Sequence, residues 1–532
     1  MNLAAESAEN GAASVISSLL ARSYRVEAPG TGEMRHGTEG WKCLETSYRA
    51  LQQVMDGVGA PFGVNLDDSL RELIYKGLLH PNRFVREVCH FIISSMCTNN
   101  VLSPQQLRKL SPEITSKLSL GLSDNWSQVR FAASVAARSF LLATVDFRDE
   151  VLPSILPHMC LNRYYVAEGV RTFSQATWAM VMGEEGRVWV AKCASSVVSY
   201  YIEQSKANNH AVREAACACI AELMVKVDRE AVAPHVPKLL RALLTCFRDA
   251  SWPVRDAACL ACGRCVRAFP QESKEILDKL YDLWFAHLWD NIFSVREDSA
   301  IALADAARAY GADAISRIVE QIRIYLPMAN DQPVDSRAGG GLENTTTFGV
   351  AASRNVRAND AALHTDQTMF SCGSLAPKLA RGGDGCMDHG FARDKEPWEA
   401  TDGSLYMIRE LADVSPDAVV EFLPEMAKVA GLTHFAHCVV LQETLWKVLP
   451  HVARGIGKQR FKAELPEFVE PMFRCLTSEH RLCQVAAGSC IAQIRDLLGP
   501  RIFEGRLNEE QRRLLHEHPD IPSSTRFRPL LG

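Results

Sequence analysis

The dipeptide Val-Arg recurs at Val85-Arg86, Val129-Arg130, Val170-Arg171, Val212-Arg213, Val254-Arg255 and Val295-Arg296, so successive arginines stand 44, 41, 42, 42 and 41 residues apart. A mark that returns at so steady an interval makes the chain a stack of like units, because a period of about 20 to 50 residues belongs to repeat architectures. The residues after each mark agree as well. Four positions past each Val stand Cys89, Ala133, Ser174, Ala216, Ala258 and Ser299, all small. Eight past it stand Ile93, Ala137, Trp178, Ile220, Cys262 and Leu303, and eleven past it Met96, Phe140, Val181, Leu223, Cys265 and Ala306. Offsets of 0, 4, 8 and 11 share one face of an α-helix. A small residue on that face lets a neighbouring helix approach closely.

Upstream of each mark lies a second amphipathic stretch, such as Val236–Cys246 or Ile276–Trp284. Each unit therefore reads as helix A, a turn, helix B and a link. Asp124, Asp249 and Asp290 lie six residues before Arg130, Arg255 and Arg296. An Asp there is placed to cap helix B and to meet an arginine of its own or the adjacent unit. His80, Tyr165 and Ala207 occupy that position in the other units, where an Asp/Arg ladder is expected to break. With its Val-Arg mark and D-x5-R pairs, the chain resembles the HEAT-repeat family, strongly over 60–325 and more weakly over 400–500. The resemblance implies an all-α fold, an α-solenoid of about nine helical hairpins, and no particular member of the family.

The organisation expected along the chain has five parts. Residues 1–35 read as a disordered arm with a short helix near Ser14–Leu20. Residues 36–326 hold a cap helix at Gly40–Leu51, six regular units and helix A of a seventh. The stretch 327–398, with Gly339-Gly340-Gly341 and Thr345-Thr346-Thr347, has no periodicity and reads as a disordered insertion. Helical pattern resumes within 399–498, first at Ser404–Ala412. The tail 499–532 is expected to cap the last apolar face with Ile502, Phe503, Leu507 and Leu514.

Composition narrows the function classes. Length alone, 532 residues, would suggest three or four domains. Lys+Arg 58 against Asp+Glu 63 gives a net charge of -5, without the basic excess of a nucleic-acid binder. No apolar run approaches the roughly 18 residues of a membrane span, and the N-terminus lacks the pattern of a signal peptide. The 17 cysteines sit in apolar helical stretches and read as free thiols of a reducing compartment, cytosol or nucleus.

Chemistry-bearing motifs are few. Cys259, Cys262 and Cys265, with Cys217 and Cys219 one repeat earlier, have tempting metal spacing. On a helix, however, they fall on core positions and fan out, whereas zinc needs converging thiolates. His434-x2-His437-Cys438 and Cys386-x2-His389 lack partner pairs. His516-Glu517-His518 occurs once, where HEAT-like di-iron hydroxylases use several such pairs. No phosphate loop or nucleophile elbow is present. The expectation is a protein without catalytic residues, cofactor or metal.

Binding is the better-supported role, since stacked repeats build extended protein-binding surfaces. The A-to-B turns carry Trp41, Phe84, Trp126, Trp252 and Phe293, and large aromatics are typical interface anchors. They read either as a protein-binding edge or as packing against the next unit. The aromatic turn beside Val-Arg also resembles tubulin-binding TOG domains, which makes tubulin a candidate partner. Solenoids of nuclear transport and phosphatase scaffolding are of similar build. The arginines read either as a structural ladder of Asp124, Arg130, Asp249, Arg255, Asp290 and Arg296, bonded to turn carboxylates and backbone carbonyls, or as a row facing an acidic partner. The function expected is a scaffold or adaptor for proteins, binding neither nucleic acid nor membrane.

Overall fold

A computed structural model describes residues 18–21, 41–334 and 395–521. The described residues form helices without strands, and they cluster into two compact units, one up to Ala242 and one from Leu243 onward.

In the first unit, α1 (Trp41–Val58) is followed by α2 (Asp68–Leu78), α3 (Arg83–Thr98), α4 (Pro104–Leu122), α5 (Ser127–Ala143), α6 (Arg148–Asn162) and α7 (Glu168–Val181). Then come α8 (Gly186–Lys192), α9 (Ala194–Gln204) and α10 (His210–Lys226). The Val-Arg helices α3, α5 and α7 are the B helices, and α1, α3, α5 and α7 stack in a row. The starts are written locally. Ser103 and Gln106 form a reciprocal capping box ahead of Pro104, and Asn82 and Asn209 accept backbone N–H groups at the heads of α3 and α10.

The unit boundary falls in α11 (Val236–Cys246). The second unit has B helices α12 (Trp252–Ala268), α14 (Phe293–Tyr310), α16 (Pro397–Val414), α18 (Cys438–Ile456) and α20 (Arg481–Leu498), again stacked in sequence. Its A helices are α13 (Leu277–Leu288), α15 (Ala312–Tyr325), α17 (Leu423–Gly431) and α19 (Lys458–Leu476), and α21 (Glu509–Glu517) closes the described chain. The small residues at the fourth position past each mark are all buried, as the spacing predicts. Gly403 of α16 shows how close the packing becomes: a Cβ there would lie 1.9 Å from the carbonyl oxygen of Leu288. Gly457, at φ 89°, is the whole link between α18 and α19, a reversal that a side chain would strain.

The repeat arginines bond both kinds of acceptor expected of a ladder, backbone carbonyls and turn carboxylates. Arg86, Arg130, Arg213, Arg255 and Arg296 each donate to the backbone carbonyl six residues upstream, at His80, Asp124, Ala207, Asp249 and Asp290, over 2.5–2.9 Å. The common acceptor is therefore the carbonyl, and the clasp survives where His80 and Ala207 replace Asp. The Asp side chains do a separate job. Asp124, Asp249 and Asp290 accept from the N–H of Trp126, Ser251 and Ile292 at 2.9 Å, which tightens the turn just ahead of helix B.

The free side of four of these guanidinium groups reaches onward to the next repeat. Arg86 meets both oxygens of Asp124, Arg130 the Asn162 side chain at 2.6 Å, and Arg296 Asp402 at 2.8 Å. Arg255 approaches Asp290 at 3.8 Å. Among the described residues Arg171 makes no such bond.

The insertion is narrower than its absent periodicity suggests. Residues 326–331 form a 3-10 turn, and α16 begins at Pro397, ahead of the expected Ser404. Buried Gln332 accepts from the Trp398 N–H at 3.1 Å, Thr401 accepts from the Ala329 N–H at 2.9 Å, and His434 meets the Gln332 carbonyl at 3.1 Å. The expected insertion's interior, 335–394, lies outside the described residues, as does Cys386-x2-His389. Of the expected arm, Ser18–Ala21 is helical with Leu20 buried, and the rest lies outside the described residues. In the tail, Phe503 and Leu507 are buried as expected, but Leu515 rather than Leu514 turns inward. Residues 522–532 lie outside the described residues.

The clasp and the insertion's edges set the expected stability. Arg296→Leu strands the buried carboxylates of Asp402 and Glu399, the latter 3.7 Å away, and should cost about 3–5 kcal/mol in urea unfolding. Arg255→Leu, at a longer and wetter pair, should cost clearly less. Because Gln332 and Thr401 hold these two edges together, Gln332→Ala/Thr401→Val should lower the thermal midpoint by a few degrees.

Candidate protein-binding face and cleft

Most B helices turn one stripe inward to the core and leave the opposite stripe less covered, whereas α16 is buried almost throughout. On α5 the uncovered stripe is Gln128, Phe131, Val135, Arg138 and Leu142, spaced three and four residues apart. Neighbouring stripes are braced to one another. In the first unit Asn99 donates to Asp56 at 2.8 Å and Ser94 meets Ser139 at 2.8 Å. Arg138 donates to Thr177 at 2.8 Å while its guanidinium lies over the Phe173 ring. In the second unit Arg267 donates to Asp305 and Arg409 to Glu297, His451 pairs with Asp413, and Arg454 donates to Gln493, all within 3.1 Å.

Two carboxyls on this face are close enough to share a hydrogen bond. Burial and the neighbouring Asp256 push Asp298 up to about 8, and burial raises Asp256 as well. Like charges so placed cannot both ionise cheaply.

The predicted turn aromatics separate into kinds. Trp41 stacks on Phe84 with centroids 5.1 Å apart. The Arg83 guanidinium sits 4.6 Å from the Phe84 centroid and 3.8 Å from that of Trp126. Trp126 is only 3% exposed, so it belongs to packing and not to a surface, which corrects its place among the edge residues. Trp252 is half-buried. Phe293, at 62%, is the fully exposed member of the five. A TOG-like edge of three exposed aromatics is therefore not formed. The cysteines Cys259, Cys262 and Cys265 are buried and diverge: Cys259 faces Ser299 and Cys265 faces Ser273. Among the described residues no group of three His, Cys, Asp or Glu side chains is placed to hold a metal ion.

The regular row breaks once inside the first unit. Helix α10 packs on α6 and α9 instead of on α7, the preceding B helix. Between them opens a cleft of about 210 Å³. Its wall includes Trp178, which holds the position that is buried core in the other five repeats. Arg163 lies 4.2 Å over the Trp178 ring and donates to Glu222 at 2.8 Å, and Lys226 reaches the same carboxylate at 3.1 Å. Burial alone would raise Glu222, but Arg163 and Lys226 outweigh it and hold the carboxyl below its usual range. Burial would likewise lower Arg163, and Glu222 reverses that. Sequence reasoning missed this site, although Trp178 was its signal, a large amphipathic ring at a core position.

The HEAT-like repeat model matches residues 210–264, which run from α10 through α12. A structure of Kap95p, whose binding induces the switch loops of RanGDP to adopt the GTP-bound conformation, is similar at a TM-score of 0.50. Identity is 14%, and the likeness covers 95% of this chain and 55% of that one. Yeast importin-beta, again Kap95p, matches at 13% identity and a TM-score of 0.46 over 94% of this chain and 53% of that one. The chain thus spans about half the length of these structures. No curated protein matches it significantly in sequence. The chain folds as an α-solenoid, and its residues 210–264 match a HEAT-like repeat.

The carboxyl pair yields a pH test. A carboxyl raised in the fold stabilises below its unfolded value, near 4, and loses that contribution as pH climbs through about 8. Thermal midpoints should therefore fall from pH 5 to pH 8, and Asp298→Asn should flatten that slope.

Proposed function

We propose that the chain is a non-catalytic scaffold that binds partner proteins along the uncovered face of its B helices. The observation that supports this reading most is the braced stripe itself. Side chains such as Asp56, Asn99, Ser94, Ser139, Arg138 and Thr177 lock consecutive helices together at the surface, where packing alone does not require it. Such bracing lowers the ordering cost of binding, because a preorganised surface loses less side-chain entropy on contact. The face also mixes apolar and charged groups, as protein interfaces do: Phe131, Val135 and Leu142 on α5, and Leu482 and Val485 on α20. The turn edge contributes Phe293 as its exposed aromatic. A nuclear-transport or phosphatase-scaffold role would use the same face, and what supports it is likeness of fold alone.

The reading is tested by affinity capture with the full chain under reducing conditions, scored by mass spectrometry. Val135→Glu/Leu142→Glu on the face should deplete a defined set of partners by about tenfold or more. Lys109→Glu/Ser116→Glu on the exposed side of α4 should not. Equal partner sets from both variants, each shown folded by circular dichroism, would remove the proposal.

A further inference from the structure

The break between α7 and α10 makes one place in the first unit unlike the others, and its chemistry is specific. At about 210 Å³ the cleft is smaller than the roughly 300–1,000 Å³ of small-molecule sites and suits one large side chain. Inside it, two cations, Arg163 and Lys226, converge on one carboxylate, Glu222, which leaves a positive excess of one. At the rim Glu184 and Arg187 offset each other. Trp178, Val190 and Tyr201 also line the cleft, so an entering side chain meets apolar carbon beside the charge.

We propose that this cleft receives an acidic side chain, Asp or Glu, from a partner protein, with its methylene groups against Trp178 and Val190. This deepens the scaffold reading and rests on it. The incoming carboxylate completes the charge balance, accepting from Lys226 and from the part of the Arg163 guanidinium not taken by Glu222. Arg163 is already oriented by the Trp178 ring and by Glu222, so positioning it costs little. A basic side chain would instead face the cation excess and have to compete with both residues for Glu222.

The test uses the full chain as bait for a phage-displayed library of random dodecapeptides. Selection should enrich Asp or Glu. A labelled consensus peptide should slow amide exchange in 178–190 and 219–227, and changing its acid to the amide should weaken binding about tenfold. Lys226→Glu should weaken binding at least as much and Lys226→Arg should preserve it. The proposal is overturned by selected peptides without acidic enrichment, by equal binding to the parent and Lys226→Glu, or by protection confined to other helices. Complete displacement by millimolar acetate or phosphate would also overturn it, since the site would then take a small free anion. If captured partners are lost with the α5 face variant while the cleft variants bind no peptide differently, the inference fails and the scaffold reading stands. If neither face nor cleft binds anything, both fail.

Discussion

The regular part of the structure depends on a guanidinium that five of the six Val-Arg repeats clasp onto their own turn. An arginine side chain is long, planar and always charged, and it offers five donors in a fixed fork. In this chain it folds back across the turn that precedes its own helix and satisfies that turn's carbonyl six residues upstream. The same group then has donors left to reach the following repeat. Helix A, helix B and the next unit are thereby tied at a single point. The cost of burying Arg130 and Arg296 almost completely is offset because each is paired on several sides. Replacing such a group by Lys would keep the charge and lose the fork.

This division of labour explains what was legible in the sequence. The Val-Arg mark and the small residue four positions on were visible because packing and clasp repeat with the chain. Every residue carries a carbonyl, so that half of the ladder holds at His80 and Ala207, where the pairing with an Asp is lost. Asn162 was hidden. It stands at a different distance from the mark than the turn Asp, yet it meets Arg130 at 2.6 Å and donates to the Leu122 carbonyl. The edges of the insertion were misplaced for a related reason. Gln332 and Thr401 are polar and aperiodic, and composition alone assigns such residues to loops. Both are buried with hydrogen bonds to partners 66 to 76 residues away, which no local pattern records.

The turn aromatics teach the converse. Trp41, Phe84 and Trp126 were recognisable as large side chains at equivalent positions, and equivalence led to a shared role as an edge. Stacking a solenoid instead brings equivalent residues of adjacent repeats within reach of one another, so their first partners are each other. Arg83, between Phe84 and Trp126, completes that contact. Sequence-equivalent aromatics are therefore weak evidence for a binding edge unless one of them, as at Phe293, has lost its neighbour.

Specific recognition by a repeat protein needs a place where the repetition fails. A surface that recurs every 41 to 44 residues offers the same stripe many times over and gives a partner no unique register. The third repeat supplies the irregularity on three counts at once. Arg171 makes no clasp among the described residues, Trp178 has left the core, and α7 does not pack against the following B helix. These are connected. Without the clasp, nothing pins the turn of α7 to the next unit, so α10 settles on α6 and α9, and the gap is filled by side chains too polar to close it. The cation excess around Glu222 is the physical residue of that misfit, and it is also what distinguishes this point from every other along the unit.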